Sequence, residues 1–234
     1  MDKEDSTVLD DNVESRAAFE QIAEFARELG FEHCCHGLRM PVPVTRPRTV
    51  FYTNYPPEWE RLYRERGYLE IDPTVLHGMR SSSAIVWSDE FFSTVPEFWQ
   101  TAQSYGLRYG WAQSRRDPEG IYSMLVLARS GPALDIEELR DKEERLSWLL
   151  GKSHFLAKQA CSDPVINEKM PLLSGREVEV LRWSADGKSA AIIAALMNIS
   201  ERTVAFHINS VVQKLGVNNK TSAVARASML GLLW

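Results

Sequence analysis

Apolar residues recur at helical spacing over residues 14–29, where Phe19, Ile22, Ala26 and Leu29 share a face and Gly30 closes the helix. The pattern then becomes β-like. Residues 31–39 and 49–54 predict strands, separated by the proline-rich stretch 40–47, which cannot sit inside a sheet. Short helices follow at 58–65, after Pro56-Pro57, and from Asp72-Pro73 to about residue 80. Ser88 can cap a mobile acidic and aromatic segment, and a helix over 97–105 is stopped by Gly106. Residues 109–115 and 121–129 pair as strands across the turn Asp117-Pro118-Glu119-Gly120, and a long helix spans 135–160. This order predicts an α/β/α sandwich around an antiparallel sheet. The first dozen residues are acidic and read as loose chain.

Periodicity lapses over residues 161–171 and returns as helices only. Ser174 and Glu177 make a capping box, Asp186-Gly187 ends that helix, and Gly216-Val217-Asn218-Asn219 precedes a last helix over 220–233 with small residues Ala223, Ala225 and Ala227. Between them residues 188–215 read helix, tight turn, helix. The first runs over 189–197 with apolar positions at Ile192, Ile193 and Leu196, and ends at Asn198. The second is capped by Ser200 and buries a narrow stripe of Val204, Ile208, Val211 and Leu215. Its other face carries Arg202, Thr203, Phe206, Asn209, Ser210 and Gln213, the kind of face a recognition helix turns to base edges. A helical hairpin facing water is the plainer alternative. The fold class is therefore α+β, with three parts: a sandwich at 1–162, a linker at 163–171 and a four-helix module at 172–234.

Charge sharpens the division. The 234 residues carry a formal net charge of -5. From Val165 onward there are eight Lys and Arg against five Asp and Glu, leaving 19 against 27 before it. A basic module on an acidic one is expected if only the former meets phosphate. The acidic start and the absence of a long apolar run predict neither signal peptide nor membrane span. Cys34, Cys35 and Cys161 show no metal spacing, so the expectation is a reduced, cytoplasmic protein without metal or cofactor.

Ile199-Ser200-Glu201-Arg202-Thr203-Val204, Phe206-His207-Ile208-Asn209 and Lys214-Leu215-Gly216 resemble the DNA-binding domain of LuxR-type regulators. Ser174-Gly175-Arg176-Glu177, Leu181 and Gly187-Lys188-Ser189 extend the match upstream, while Ile192 departs from it where the family usually carries Glu. The resemblance implies Arg202, Thr203, Phe206 and Asn209 near bases and Lys188 and Lys214 on phosphate. It also implies a dimer on a two-fold symmetric promoter, because each recognition helix reads one half-site. RNA polymerase would be a further partner, and the helices over 135–160 and 220–233 the dimer surfaces.

In the first domain Trp59 and Tyr63 stand one helical turn apart, with Tyr55 before them and Asp72 opening the next helix. From the residues alone these are either core aromatics with a capping Asp or the wall of a small-molecule site. Together with Trp87 and the Gly106…Gly110 region they resemble the autoinducer-binding domain of LuxR-type quorum-sensing receptors. That resemblance implies an N-acyl homoserine lactone as ligand. Trp59 would donate to the lactone carbonyl, Asp72 would accept the amide N–H, and Tyr55 and Ser123 would donate to the amide carbonyl. Trp87 and Tyr63 would wall the head group, with the acyl tail passing Val75, Leu125 and Leu127 and Cys35 tuning its fit. A regulator of the same fold with another signal or none is the alternative. An acyl-lactone-processing enzyme is a remoter one. For that enzyme His33-Cys34-Cys35-His36 is a poor candidate, since neighbours on a strand point to opposite faces.

Overall fold

The structure, a computed structural model, describes residues 7–9, 13–41, 43, 47–161 and 171–233. The expected linker at 163–171 therefore lies almost wholly outside the described residues, as do parts of the acidic start and the proline-rich stretch. The chain opens with β1 (Thr7–Leu9), α1 (Val13–Glu28), β2 (His33–Arg39) and β3 (Thr49–Thr53). There follow α2 (Pro57–Glu65), one 3-10 turn (Tyr68–Glu70), α3 (Pro73–Arg80), β4 (Ile85–Val86) and α4 (Pro96–Ser104). The hairpin β5 (Tyr109–Arg116) and β6 (Tyr122–Arg129) leads into the long α5 (Ile136–Ala160). The C-terminal part is helical: α6 (Gly175–Ala185), α7 (Ala190–Met197), α8 (Glu201–Lys214) and α9 (Lys220–Met229).

Among the described residues six strands form one sheet in the order β1-β3-β2-β6-β5-β4. All pairings are antiparallel except β1 with β3, which is parallel. The sheet is thus the expected one with two corrections. Thr7–Leu9 is not loose chain, and Ile85–Val86 adds the other edge. Both are too short to show alternation in sequence.

Helices cover both faces. Under α1 and α5 lie Ile22, Phe31, Cys34, Leu125, Leu127, Leu146 and Leu149. Under α2, α3 and α4 lie Trp59, Tyr68, Phe92, Phe98 and Trp99, continuing into Ala112, Met124 and Val126. The segment after Ser88, expected to be mobile, packs onto the core. Ser88 does cap it, accepting from the Phe91 amide at 3.1 Å, but Phe92 is fully buried and stacks on Trp99 at 4.3 Å.

The helical module buries Val180, Leu181, Ile193, Val204, Val211, Leu215, Ala223 and Ala227. The stripe expected on α8 is there, with Ile208 packed at its edge. On α7 the burial differs from the simple apolar pattern. Ile193, Ala194 and Met197 face inward, while Ile192 and Leu196 are about half exposed. A helix apolar on every side gives no phase by which to choose its buried face.

Candidate ligand cavity and DNA-facing helix

The sheet face beneath α2–α4 can be followed rung by rung. Register places Thr53, Cys35, Val126 and Ala112 side by side, and Phe51, Gly37, Met124 and Ser114 on the next rung. Above these rungs is a cavity of about 260 Å³. Its walls include Tyr55, Trp59, Tyr63, Asp72, Thr74, Val75, Trp87, Cys35, Met124 and Val126. Seven of the residues singled out in sequence thus come together: Cys35, Tyr55, Trp59, Tyr63, Asp72, Val75 and Trp87.

Local chemistry explains their placement. Asp72 caps α3, its Oδ1 accepting the Thr74 amide at 2.8 Å. The Tyr63 hydroxyl donates to Oδ2 at 2.9 Å, tying α2 to α3. Burial raises the Asp72 carboxyl above its ordinary value, and the bonds from Thr74 and Tyr63 offset only part of this. Burial also raises the phenols of Tyr55 and Tyr63. Trp59 is sealed among Tyr63, Tyr68, Phe98 and Tyr105, each ring 5.7–5.8 Å from its own. Trp87 lies over Gly110, where any Cβ would come within 2.4 Å of the indole. Two buried donors on this wall, Thr74 Oγ1 and Trp87 Nε1, have no hydrogen-bond partner among the described residues. The cavity is apolar at its far end and polar around Asp72, as a site for an amphipathic small molecule needs.

Three expected lining residues lie elsewhere. Ser123, Leu125 and Leu127 point to the opposite face of the sheet, against α1 and α5. Met124 and Val126 take their place. β6 is buried on both sides, so its apolar run carries no signal for which alternate set faces which layer. Ser123 Oγ instead meets His154 Nδ1 at 2.9 Å, and His154 Nε2 lies 3.3 Å from Asp117 Oδ2. Lys158 reaches the same carboxylate at 2.7 Å. Burial alone would raise Asp117, but the bonds from His154 and Lys158 bring it down to about 2. The Ser–His–Asp order is that of a nucleophilic triad, yet none of the three lines the aromatic cavity. It is a tie between α5 and the hairpin.

The His-Cys-Cys-His run divides between faces as expected. Cys34 and His36 are fully buried under the helices α1 and α5, while Cys35 lines the cavity. Burial, then Glu60 and Asp72, push the Cys35 thiol up to about 12, so it is no thiolate nucleophile at neutral pH. Burial and the nearby His154 lower His36 to about 3.

In the helical module Ser200 caps α8, accepting from the Thr203 amide at 3.1 Å, after Asn198 turns the chain in the left-handed region. Arg202, Phe206 and Asn209 are exposed on one side of α8, Phe206 at 68%. Thr203 is half-buried, its hydroxyl 2.8 Å from that of Ser200. Lys188 is half-buried just before α7. Two polar residues of α8 serve the interior. Ser210 donates to Glu177 at 2.7 Å, and Lys214 pairs with Glu177 at 2.8 Å and reaches the Leu172 carbonyl at 3.2 Å. Glu177 also accepts the Ser174 amide at 2.6 Å, completing the capping box. Burial would raise this carboxyl, but Lys214, Ser210 and Ser174 bring it to about 2. Lys214, expected on phosphate, is thus held by an internal carboxylate. Sequence spacing alone does not reveal that pairing, because the partners are 37 residues apart.

A sandwich holding an amphipathic cavity, followed by a helix-turn-helix, is the build of a ligand-responsive DNA-binding regulator. Residues 14–155 match the family described as autoinducer binding domain, and 171–227 match bacterial regulatory proteins, luxR family. The chain is 42% identical over 217 residues to the transcriptional activator protein AnoR of Acinetobacter nosocomialis, covering 92% of this chain and 91% of that protein. It is 34% identical over 215 residues to the regulatory protein SdiA of Escherichia coli (strain K12), covering 92% and 89%. The solved structure of SdiA in complex with octanoyl-rac-glycerol aligns with a TM-score of 0.75 at 31% identity, covering 94% of this chain and 89% of that one. The protein belongs to the luxR family: it is an autoinducer-binding transcription regulator of the quorum-sensing type and not an enzyme.

Proposed function

We propose that the cavity binds an N-acyl homoserine lactone and that the protein, as a homodimer, then binds a two-fold symmetric promoter and engages RNA polymerase as an activator. The observation that carries the ligand reading is the polar end of the cavity. Among the described residues Asp72 offers a carboxylate with no cation among its hydrogen-bond partners, on the same cavity wall as the unpartnered Thr74 hydroxyl and Trp87 indole N–H. An amide with a lactone matches that set, Asp72 accepting the amide N–H and Trp59 and Tyr55 donating to the carbonyls, while the rest of the cavity takes the tail. In the DNA reading Arg202, Thr203, Phe206 and Asn209 approach bases and Lys188 approaches phosphate. The helices α5 and α9 form the dimer surfaces. The working boundaries are 1–162 for the ligand domain, 163–171 for the linker and 172–234 for the DNA-binding domain. The cytoplasm is the compartment such a regulator needs. Among the described residues no single helix is long and apolar enough to cross a membrane.

The test is the thermal midpoint against lactones of varied chain length, with the lactone recovered and checked for integrity. A chain-length-selective rise with intact ligand is expected. At a hundredfold excess over Kd, binding adds about 2.7 kcal/mol. A flat response to every lactone would sink the reading. A second reading, an acylglycerol signal, is favoured by the octanoyl-rac-glycerol held by the similar SdiA structure.

A further inference from the structure

The cavity ends at a definite place, and the residues that end it are not those of the head-group site. Along the sheet, the rung of Thr53, Cys35 and Val126 lines the cavity, and so do Phe51 and Met124 on the next rung. Beyond Met124 on the same face of β6 comes Tyr122, which does not line it. Gly37 stands between Phe51 and Met124 in register, and a Cβ there would lie 3.0 Å from the Phe51 ring, so the missing side chain lets that ring lie across the strand. From the helical side Gly78 closes the same end. A Cβ on it would sit 2.4 Å from the Tyr122 hydroxyl and 2.7 Å from the Met124 sulfur. The Tyr122 hydroxyl in turn donates to that sulfur at 3.4 Å. The Ser114 hydroxyl lies 2.9 Å from the Gly78 carbonyl and 2.8 Å from that of Ser81, pinning the end of α3 to β5.

Resting on the reading of this cavity as an acyl-ligand site, we propose that Met124 is the end wall of the acyl channel and sets the tail length the protein accepts. Phe51 flanks it, and Gly78 and Tyr122 act as positioning residues behind it. From Asp72 to Gly78 the helix α3 advances about 9 Å along its axis, which sets the distance from the head-group carboxylate to the wall. The wall is soft by composition. A thioether has three rotatable bonds, so it moves for a tail slightly too long more readily than a branched side chain would. It is held in place by α3, which packs on it through Gly78, where an added methyl group would have to displace the Met124 sulfur and the Tyr122 hydroxyl.

The experiment is the midpoint rise of the full chain with two matched probe series, N-acyl homoserine lactones and 1-acylglycerols, each from four to fourteen carbons (a span of about the right order for one such channel). Wild type, Met124→Ala, Met124→Phe and Gly78→Ala are compared. Met124→Ala is expected to move the preferred tail to a longer chain. Met124→Phe and Gly78→Ala, which fills or narrows the end, are expected to move it to a shorter one. Whichever variant folds gives an answer, because the readout is the position of the optimum and not the size of the rise. An optimum unchanged in every folded variant overturns the wall. If acylglycerols show the moving optimum and lactones give no rise, the wall stands and the lactone reading falls. If neither series raises the wild-type midpoint, both fall.

Discussion

Two helices in this molecule begin on a recessed carboxylate, and the two carboxylates are treated in opposite ways. Asp72 caps α3 and Glu177 closes the capping box of α6. Glu177 is given a cation and two further donors, and its carboxyl falls to about 2. Asp72 is given one phenol and backbone amide hydrogen bonds, and its carboxyl rises. The difference separates a group finished by the fold from one left for something else to finish. A buried charge without a cation is costly, and at Asp72 the proposed ligand amide is what would offset that cost. In the helical module the polar interior is closed, and the residues proposed to meet bases lie on α8, Arg202, Phe206 and Asn209 among them exposed.

Substitution should break the two carboxylates in different currencies. Asp72→Asn keeps the size and loses the charged acceptor. It should weaken ligand binding by about 2–3 kcal/mol, roughly a hundredfold, while leaving unliganded stability unchanged or slightly higher. Dose–response curves of the thermal midpoint measure this, and a wild-type curve would undo the contrast. Glu177→Ala should do the reverse. With the Ser174 amide, Ser210 and Lys214 all losing an acceptor, the helical module should lose about 2 kcal/mol in denaturant unfolding. Ligand affinity should not change.

Acid sharpens the contrast, because the signs differ. Glu177 has its folded value below its ordinary 4.5. Its contribution is therefore full above about pH 5 and is lost as the pH falls toward 2. Asp72 has its folded value above its ordinary 3.8, so the folded state holds its proton more tightly than the unfolded one. Unliganded stability should accordingly drop as the pH rises through the interval between those values. Asp117 and Glu138 in the same domain are both lowered to about 2 and slope the other way. The Asp72 contribution is thus read as the difference between wild type and Asp72→Asn. Hydrogen exchange resolved by domain, from pH 3 to 7 (roughly the span where these carboxyls titrate), should show opposed trends in two differences, wild type minus Asp72→Asn in the first domain and wild type minus Glu177→Ala in the helical module.

The sequence was most informative where local rules suffice. The helix caps at Ser174, Ser200 and Asp72 and the turn before Ile121 all follow from side-chain reach over a few residues. The cavity aromatics were legible too, because α2 places Trp59 and Tyr63 on one side. What failed was phase and distance. β6 is buried on both faces and α7 is apolar on every side, so pattern alone assigns no face to Ser123 and Leu125 or to Ile192 and Leu196. Met124, which does line the cavity, carried no polar signal to find it by. The Glu177–Lys214 pair joins residues far apart in sequence, and only the packing of α6 against α8 brings them together.

That pair yields the smallest predicted effect and the finest test of the comparison. A lysine counted as a phosphate contact should, when removed, reduce the slope of log affinity against log salt by about 0.9. Lys188→Ala is expected to do so. Lys214 already has its charge matched by a carboxylate 2.8 Å away, and leaving that carboxylate for DNA would strand a buried anion. Lys214→Met should therefore leave the salt slope within about 0.2 of wild type. Its effect should appear instead as lost stability, with the Glu177 carboxyl moving back toward its ordinary value. Promoter binding measured across a salt series, alongside denaturant unfolding of both variants, separates the two outcomes. A full unit of slope lost with Lys214 would mean that DNA displaces Glu177, and the helical module would then also keep a carboxylate whose final partner comes from outside.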